Sequence, residues 1–393
     1  MTRNVVIASG VRTAIGAFGG TLSGHSPTGL GALCVAEALR RAGRAGAEVD
    51  HVVFGNVLVT EPKDAYLARV AAVEGGVPIE VPALTVNRLC GSGVQAIVSA
   101  AQSIMLGDAE VAVAGGAEVM SRAPHLLHTG RSGQKMGDTT LVDHLIGVLT
   151  DPFGNGIMGI TAENVAAKWQ ITRDEQDAYA VESQSRAEAA IAAGRFRDQI
   201  LPVEARRGRE TVSFDTDEHP KAGTTRESLG TLRPAFRKDG SVTAGNASGI
   251  NDGAAAVVLV EEGRAAREGR DVLARIVGYA HAGVEPSEMG IGPVPAVRRL
   301  LKKTGLRIED FDVIESNEAF AAQACAVARE LGFDPARVNP NGGAIALGHP
   351  VGATGTILTV KAAYELRRVN GRYGLVTMCI GGGQGIALAI ERA

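Results

Sequence analysis

Apolar residues along this chain form two patterns: short continuous runs, and stretches with helical periodicity. The two patterns alternate along the chain. The runs Asn4–Ala8 and Asp50–Val57 predict buried strands, and a glycine-rich loop, Arg12–Leu22, follows the first of them. Pro27–Ala42 and Lys63–Val73 have helical spacing and predict helices that pack on those strands. Strands that alternate with helices predict an α/β fold with parallel pairing.

The stretch Ala83–Met105 combines both patterns around one cysteine. It predicts a strand at Ala83–Val86, a turn, and a helix that opens at Cys90 and buries one apolar face. A cysteine at a helix N-terminus faces unpaired N–H groups and the positive end of the helix dipole, and both favour the reactive thiolate. Cys90 is therefore either a nucleophile or a small buried hydrophobic residue, as most free cysteines are.

The alternation is interrupted between Glu118 and Gly249, where helical spacing is confined to Gly159–Trp169 and Arg173–Ala193. We interpret this part as an inserted loop domain laid over the sheet. Basic residues concentrate at Arg195–Arg209 and Lys221–Lys238. They form either an ordinary solvated face or a binding surface for the phosphates of an anionic ligand. Beyond Asn251 the sequence again predicts strands and helices, with strands at Ala255–Val260, Ala274–Ala280, Asp312–Glu315, Gly374–Cys379 and Gly385–Ile390 and helices at Ala296–Thr304, Phe320–Leu331 and Gly355–Val369.

The second half of the chain repeats the first. DHVVFGN ends at Asn56 and FDVIESN ends at Asn317, and Cys90 and His349 follow these asparagines after 34 and 32 residues. Each copy then continues through a helix to a strand that ends in glycines, at Gly115 and Gly116 in the first copy and at Gly381–Gly383 in the second. Corresponding turns of paired halves are expected to face a common centre, so Cys90, His349, Asn317 and Cys379 should converge. The domains predicted from this repeat are an N-terminal half (1–118), the insertion (119–249), a return to the first half (250–272) and a C-terminal half (273–393).

Composition excludes several classes of partner. The net charge of −3 and an aromatic content of 4% argue against nucleic acid and against an anionic membrane. We find no signal peptide and no apolar run near about 18 residues, which predicts a cytoplasmic protein. The four cysteines are far apart and lack CxxC spacing, so neither a disulfide framework nor a zinc site is expected.

The remaining candidate residues each have two interpretations. His349, in GHPVGATG, is a structural histidine or the base that takes the proton of Cys90. Cys379 is a core cysteine or an acid/base thiol in front of a glycine turn whose N–H groups face an oxyanion. Asn317 caps the following helix or orients a water. Two thiols and a histidine suit one chemistry: one thiol carries an acyl group while the other moves a proton on and off carbon, as in a Claisen-type reaction.

Long motifs distributed over the whole chain resemble the thiolase family. They are NRLCGSG at Cys90, GNASGINDGAA at Gly245–Ala255, NEAF at Asn317–Phe320, NPNGGAIALGHPVGATG at His349 and CIGGGQG at Cys379. The resemblance implies a thiolase fold, with two repeated halves in αβαβα layers and an inserted loop domain that binds coenzyme A (CoA). It also implies reversible condensation of acyl-CoA with acetyl-CoA, and thiolysis of 3-ketoacyl-CoA, by a ping-pong mechanism.

The resemblance assigns a role to each candidate. Cys90 would carry the acyl thioester, His349 would activate it, Asn317 would hold a water at the substrate oxygen, and Cys379 would be the acid/base. The backbone N–H groups of Cys90 and Gly381 would form an oxyanion hole. The residues implied to contact CoA are Leu149, Met158, Lys221, Ser248, Ala319 and Phe320. No metal or further cofactor is implied, because CoA thioesters are the substrates. The expected assembly is a homo-oligomer, a tetramer formed as a dimer of dimers or at least a dimer.

Three positions depart from the family pattern. Ile157 stands where many members have histidine, Lys221 where arginine is usual, and Ala14 where proline is usual. Apolar surface at Ile157 predicts a site that accepts acyl chains longer than acetoacetyl. Two rival readings are a β-ketoacyl synthase, which generally uses one cysteine with two histidines, and a non-catalytic CoA- or lipid-binding relative, which would lack one of the three reactive side chains.

Overall fold

The computed structural model describes residues 3–207 and 210–393, with the backbone but not the side chain of Arg207. The end of the predicted basic segment Arg195–Arg209 therefore lies outside the described residues. The strands are β1 Val5–Thr13, β2 Gly16–Ala17, β3 His51–Gly55, β4 Ala83–Val86, β5 Val111–Val119, β6 His125–Leu126, β7 Val142–Asp143, β8 Ile200–Leu201, β9 Val203–Arg207, β10 Glu210–Phe214, β11 Asn251–Glu261, β12 Ala274–Gly283, β13 Phe311–Ser316, β14 Tyr373–Ile380 and β15 Gln384–Arg392. The α-helices are α1 Pro27–Arg41, α2 Leu67–Glu74, α3 Ser92–Leu106, α4 His144–Val148, α5 Met158–Lys168, α6 Arg173–Ala192, α7 Arg226–Gly230, α8 Glu262–Glu268, α9 Pro293–Thr304, α10 Ala321–Leu331, α11 Ala344–Leu347 and α12 Val351–Val369.

A mixed sheet crosses the molecule in the order β13-β14-β15-β12-β1-β11-β5-β3-β4. Pairing is parallel between β4, β3 and β5 and between β13 and β14, and antiparallel between the other neighbours. The prediction of parallel pairing is therefore wrong for the central strands. The connections explain the difference: Gly381–Gly383 alone joins β14 to β15, and so short a turn links only antiparallel strands.

Five layers build the core. The central helices α3 and α12 share one apolar cluster with strands of both halves. The helices α1 and α2 cover the outer face of the first half, and α9 and α10 cover that of the second. A Cβ on Gly355 would collide with the backbone of Val94, so only glycine allows α12 to approach α3 this closely. The two helices meet near their N-termini, which brings the turns that precede them to the same end of the molecule.

Glycine inside a strand misled the sequence analysis of β5. The prediction ends that strand at Gly115 and Gly116, whereas β5 continues through both to Val119. A side chain at Gly115 would meet the ring of Phe54, and one at Gly116 would meet the carbonyl of Gly352. These glycines therefore provide room for neighbouring elements and do not end the strand.

The insertion contains the two helices that the sequence predicts, at α5 and α6. Thr172 caps α6 by accepting from the N–H of Glu175 at 3.2 Å, and the Glu175 carboxylate accepts from the N–H of Thr172 at 2.8 Å. A buried ion pair fastens the insertion to β1: Arg12 donates to both carboxylate oxygens of Asp217, at 2.7 and 2.9 Å. Both side chains are fully buried.

One segment contradicts the expectation that no apolar run approaches the length of a membrane span. Leu89–Leu106 passes that test by length and composition, with a mean hydropathy of 1.4. More than half of the segment is buried within the protein, because α3 is the central helix of the core. A helix that is covered on several sides is apolar on several sides, whether protein or lipid covers it.

Candidate active site

A tight turn presents Cys90 ahead of α3. Leu89 adopts a positive φ of 44°, which is uncommon for a branched side chain, and the Asn87 side chain accepts from its N–H at 2.9 Å. Ser92 accepts from the N–H of Arg88 at 2.9 Å and donates to the carbonyl of Leu89 at 2.7 Å. The helix therefore begins at Ser92, two residues after the predicted start, and Cys90 lies in the turn.

Cys90, His349 and Cys379 line one cavity, together with Gly381. The convergence predicted from the repeat is thus present in the structure for these side chains. Asn317 adjoins the cavity through His349, whose Nε2 is 3.4 Å from the Asn317 Nδ2. The remaining wall of the cavity is mainly apolar and consists of Val57, Leu89, Val148, Leu149, Met158, Ser248, Met289, Ala319, Phe320 and Val351.

The thiol of Cys90 is not ionised by the helix terminus. Burial raises the pKa of Cys90 to about 11, and this effect exceeds the opposing one of two N–H groups, from Gly381 and from Cys90 itself, that point at the sulfur. The expectation of a thiolate favoured by the helix dipole is therefore wrong for the unliganded protein. The resemblance assigns the oxyanion hole to these same two N–H groups.

His349 is neutral and held on three sides. Burial lowers the pKa of His349 to about 4. Its backbone N–H donates to the Asn251 side chain at 2.9 Å, and its Nδ1 lies 2.7 Å from the Thr354 hydroxyl. An uncharged imidazole beside an uncharged thiol is a base that becomes charged only when a reaction moves the proton.

Cys379 and Asn317 enter the site from adjacent strands. Cys379 is fully buried on β14 in a cluster with Met158, Met289 and Ala319. Burial and the nearby Cys90 raise the pKa of Cys379 well above the ordinary range of a thiol. Asn317 follows β13, and its Oδ1 is buried without a hydrogen-bond partner. Asn317 does not cap the next helix, because α10 begins at Ala321 after Phe320.

The residues expected to contact CoA divide into two groups. Five of them line the cavity: Leu149, Met158, Ser248, Ala319 and Phe320. Lys221 lies outside it on the exposed surface of the insertion, where its N–H donates to the Gln184 side chain at 2.9 Å. Ile157 is also outside the described lining and forms the N-cap of α5 next to Met158.

Sequence reasoning missed part of the lining and one buried acid. Leu89 and Val351 flank the reactive turns and could have been found from that position, whereas nothing local distinguishes Val57, Val148 or Met289. In the sequence, Glu118 stands out only as the residue at which the alternation of strands and helices is interrupted. Its carboxylate accepts four bonds at 2.8–3.1 Å, from the Asn56 side chain and from the N–H groups of Val57, Leu58 and Gly352. Glu118 thus ties the end of β3 to the start of α12, beside His349.

This arrangement, two thiols and a histidine in one apolar cleft, defines an acyl-transferring enzyme of the thiolase class. The chain belongs to the thiolase family: residues 5–263 match the model "Thiolase, N-terminal domain" and residues 270–392 match "Thiolase, C-terminal domain". It is 62% identical to beta-ketothiolase BktB of Cupriavidus necator, over 100% of both chains. It is 54% identical to an acetyl-CoA acetyltransferase of Pseudomonas aeruginosa, over 99% of this chain and 100% of the relative.

Solved structures agree with this assignment. The Bacillus anthracis acetyl-CoA acetyltransferase superposes with a TM-score of 0.98 at 48% identity, covering 100% of this chain and 99% of the other. Human mitochondrial 3-ketoacyl-CoA thiolase superposes with a TM-score of 0.97 at 47% identity and the same coverage. The predicted family, fold class and acyltransferase activity are therefore confirmed. Thiolases condense acyl-CoA with acetyl-CoA and cleave 3-ketoacyl-CoA through an acylated cysteine.

Proposed function

We propose that Cys90 carries the acyl group and that Cys379 exchanges the α-proton, with His349 as the base of the first step. The observation that supports this division is the cavity in which both thiols meet the imidazole. Of the two sulfurs, Cys90 is the one at which the N–H groups of Gly381 and Cys90 point. Such donors stabilise the oxygen of a tetrahedral intermediate formed on that sulfur.

The first half-reaction moves two protons. His349 takes the proton of Cys90 as the sulfur attacks the thioester carbonyl, and the N–H groups of Cys90 and Gly381 receive the developing oxyanion. The C–S bond to CoA then breaks, and the departing CoA thiolate takes the proton of Cys379. This leaves an acylated Cys90, a Cys379 thiolate and a protonated imidazole, so the charges balance within the site.

The second half-reaction returns both protons. The Cys379 thiolate removes a proton from the α-carbon of acetyl-CoA, and the enolate oxygen accepts from the His349 Nε2–H and from a water on Asn317. The α-carbon attacks the acyl carbonyl, the bond to Cys90 breaks, and Cys90 recovers its proton from His349. Thiolysis is the same sequence reversed.

Replacing Cys379 with serine separates the two steps. We expect the Cys379→Ser variant to be acetylated on Cys90 by radiolabelled acetyl-CoA, because Cys90 and His349 are intact and the departing CoA thiolate can take its proton from the protonated imidazole instead. Condensation and thiolysis should both fall by about 10²–10⁴-fold, because a serine hydroxyl is too weak an acid to exchange the α-proton at neutral pH.

Cys325→Ser is the matched control, since Cys325 is a partly buried thiol on α10 outside the cavity. It should keep both activities. A Cys379→Ser protein that retained full thiolysis would show that Cys379 is only a core residue. Loss of self-acetylation with retained α-proton exchange would reverse the two assignments.

We also propose that the site accepts acyl groups longer than acetyl. The unliganded cavity is about 70 Å³, room for only a few water molecules, so a longer acyl chain has to displace a side chain. Met158 and Met289 line it, and unbranched methionines repack readily. Ile157 acts at most through Met158, since it does not line the cavity.

Values of kcat/KM measured for 3-ketoacyl-CoA substrates of increasing chain length test which acyl groups the site accepts. Each methylene that fits should raise kcat/KM by up to about fourfold. Met289→Ala should shift the optimum to longer chains, with Leu106→Ala, an exposed apolar residue at the C-terminal end of α3, as control. Turnover restricted to acetoacetyl-CoA would contradict this proposal.

Further proposals concern the CoA phosphates, the assembly and the cellular location. We propose that Lys221 meets the CoA phosphates outside the cavity as a point charge, so that KM for CoA rises with ionic strength. Exposed apolar side chains beside the edge strand β4, Ile79 and Leu84, support a homo-oligomer, as do Met136 and Leu141 on the insertion. We propose a cytoplasmic tetramer that needs no metal or added cofactor. Light scattering that gave a monomer would contradict the assembly.

A further inference from the structure

One hydroxyl group lies between the reactive histidine and a helix carbonyl. The Thr354 Oγ1 is 2.7 Å from the His349 Nδ1 and 2.8 Å from the backbone oxygen of Pro350. Thr354 is 2% exposed, so water does not compete for these contacts. A hydroxyl has one proton, and the partner that receives it decides which nitrogen of the imidazole carries hydrogen.

The backbone oxygen is the natural receiver of that proton. Thr359 on the same helix donates to the carbonyl four residues earlier, Gly355, at 2.8 Å, and Thr304 at the end of α9 donates in the same way to Leu300 at 2.9 Å. Thr354 has the same geometry toward Pro350. If its proton is given to that carbonyl, its lone pair faces the imidazole, and Nδ1 must be the protonated nitrogen.

The contact on the opposite side of the His349 ring favours the same tautomer. The Asn317 amide nitrogen, which is a donor, faces Nε2 at 3.4 Å. Both contacts therefore favour a hydrogen on Nδ1 and an unprotonated Nε2, whose lone pair can accept. Asn251 holds the backbone, because its side chain accepts from the His349 N–H and donates to the carbonyl of Gly16 at 3.0 Å. The ring is thus fixed both in place and in tautomer.

We propose that Thr354 is a positioning residue that keeps His349 in the Nδ1–H tautomer, so that Nε2 is free to take the proton of Cys90. This inference rests on the proposed role of His349 as the base. In the protonated imidazole both nitrogens carry hydrogen, and Thr354 still accepts from Nδ1. Without the hydroxyl, the proton either moves to Nε2, which removes the base, or stays on a buried and unpaired Nδ1.

The charged and titratable groups around the ring are few. The thiols of Cys90 and Cys379 face it across the cavity. The carboxylate of Glu118 accepts from the N–H of Gly352, three residues after His349. Asn251 and Asn317 carry no charge, and the Thr354 hydroxyl is the contact at Nδ1, which one substitution removes without changing a charge.

Thr354→Val removes the hydroxyl and keeps the side-chain shape. We expect its rate of self-acetylation by radiolabelled acetyl-CoA at pH 7 to fall by about 10- to 100-fold, the effect of leaving a buried donor unpaired, with KM little changed. Thr354→Ser should restore the rate to within a few-fold. The difference between Thr354→Val and the unsubstituted protein should shrink as pH rises toward the pKa of Cys90, about 11, because a thiol that ionises by itself needs no base.

Thr359→Val is the matched control, because it removes an equivalent hydroxyl bond from the same helix without touching His349. It should acetylate normally at every pH. If Thr354→Val fails to fold, as judged by circular dichroism, Thr354→Ala replaces it and carries the same expectation. Normal acetylation by a folded variant without the hydroxyl would overturn the inference, and so would a loss that is independent of pH or that Thr354→Ser does not reverse. Absence of acetylation in the unsubstituted protein would instead refute the proposed function.

Discussion

At the scale of single residues, the site is built from groups that are uncharged until the substrate arrives. Burial holds Cys90 as a thiol and His349 as a neutral imidazole. An ion pair already formed in the free enzyme would need a lower thiol pKa and a higher imidazole pKa. The imidazolium and the oxyanion therefore form in the apolar cleft in the same step as the bond between Cys90 and the acyl group. The N–H groups of Gly381 and Cys90 stabilise the oxyanion and so offset the free energy needed to form charges there.

The raised pKa values of the buried thiols predict how the cysteines react with iodoacetamide. Cys90 should be alkylated first, because it lines the cavity and has a pKa of about 11, whereas burial raises those of Cys34 and Cys325 to about 12. The thiolate is the reactive form, so the rate should rise about tenfold per pH unit from pH 7 towards the pKa. Peptide mass spectrometry identifies the labelled residue, and acetyl-CoA should protect it. Initial labelling of Cys34 or Cys325 would refute the assignment.

At the scale of elements, the positions of β3, β5 and α12 depend on one carboxylate. Every group that contacts Glu118 is a donor, so the ionised form fits the site. The N–H groups of Leu58, Gly352 and Val57 favour the ionised form, but burial outweighs them and raises the pKa of Glu118 to about 8. The carboxylate therefore joins the loop that carries Val57 to the helix start that follows His349.

Glu118→Gln tests this junction. The amide NH₂ would face N–H groups that need an acceptor, so we expect a loss of about 1–3 kcal/mol in the free energy of unfolding. Thermal or urea unfolding measures it. Glu74→Gln, which removes the partner of exposed Lys63, is the control and should cost about 0–1 kcal/mol. Equal effects of the two substitutions would show that the four bonds contribute little.

At the scale of the whole molecule, the insertion is held to the sheet by the buried pair of Arg12 and Asp217. Arg12→Met should destabilise the protein by about 3–5 kcal/mol, because it leaves an unpaired buried carboxylate. It should also raise KM for CoA, since Lys221 lies four residues beyond Asp217 on the same loop. Unfolding and steady-state kinetics measure the two effects.

The double variant Arg12→Met with Asp217→Leu is the informative comparison. Replacing both partners with apolar residues removes the unpaired charge, so most of the lost stability should return. The higher KM should remain if the pair also orients the loop. Arg12 also donates to the Gln199 side chain and lies over the ring of Phe196. A double variant no more stable than Arg12→Met would indicate that these other contacts of Arg12, and not the ion pair, hold the insertion in place.

Much of the molecule was determined by short segments of sequence. Thr172 and Glu175 close a capping box within four residues, so the start of α6 was predictable to the residue. The glycines around Cys90, His349 and Cys379 permit tight turns and Pro350 fixes the backbone beside His349, and these motifs identified the family and the reactive side chains. Such features depend on sterics and hydrogen bonds between near neighbours, which a sequence displays directly.

Only the tertiary structure decided the features that depend on distant parts of the chain. Antiparallel pairing of β11 and β12 with their neighbours follows from the path taken after the insertion, and no local pattern records it. The glycines of β5 were wrongly predicted to end the strand, because the groups for which they leave room, Phe54 and Gly352, are far away in sequence. The pKa of Cys90 rises, contrary to the local dipole argument, because desolvation depends on every element that closes over the sulfur.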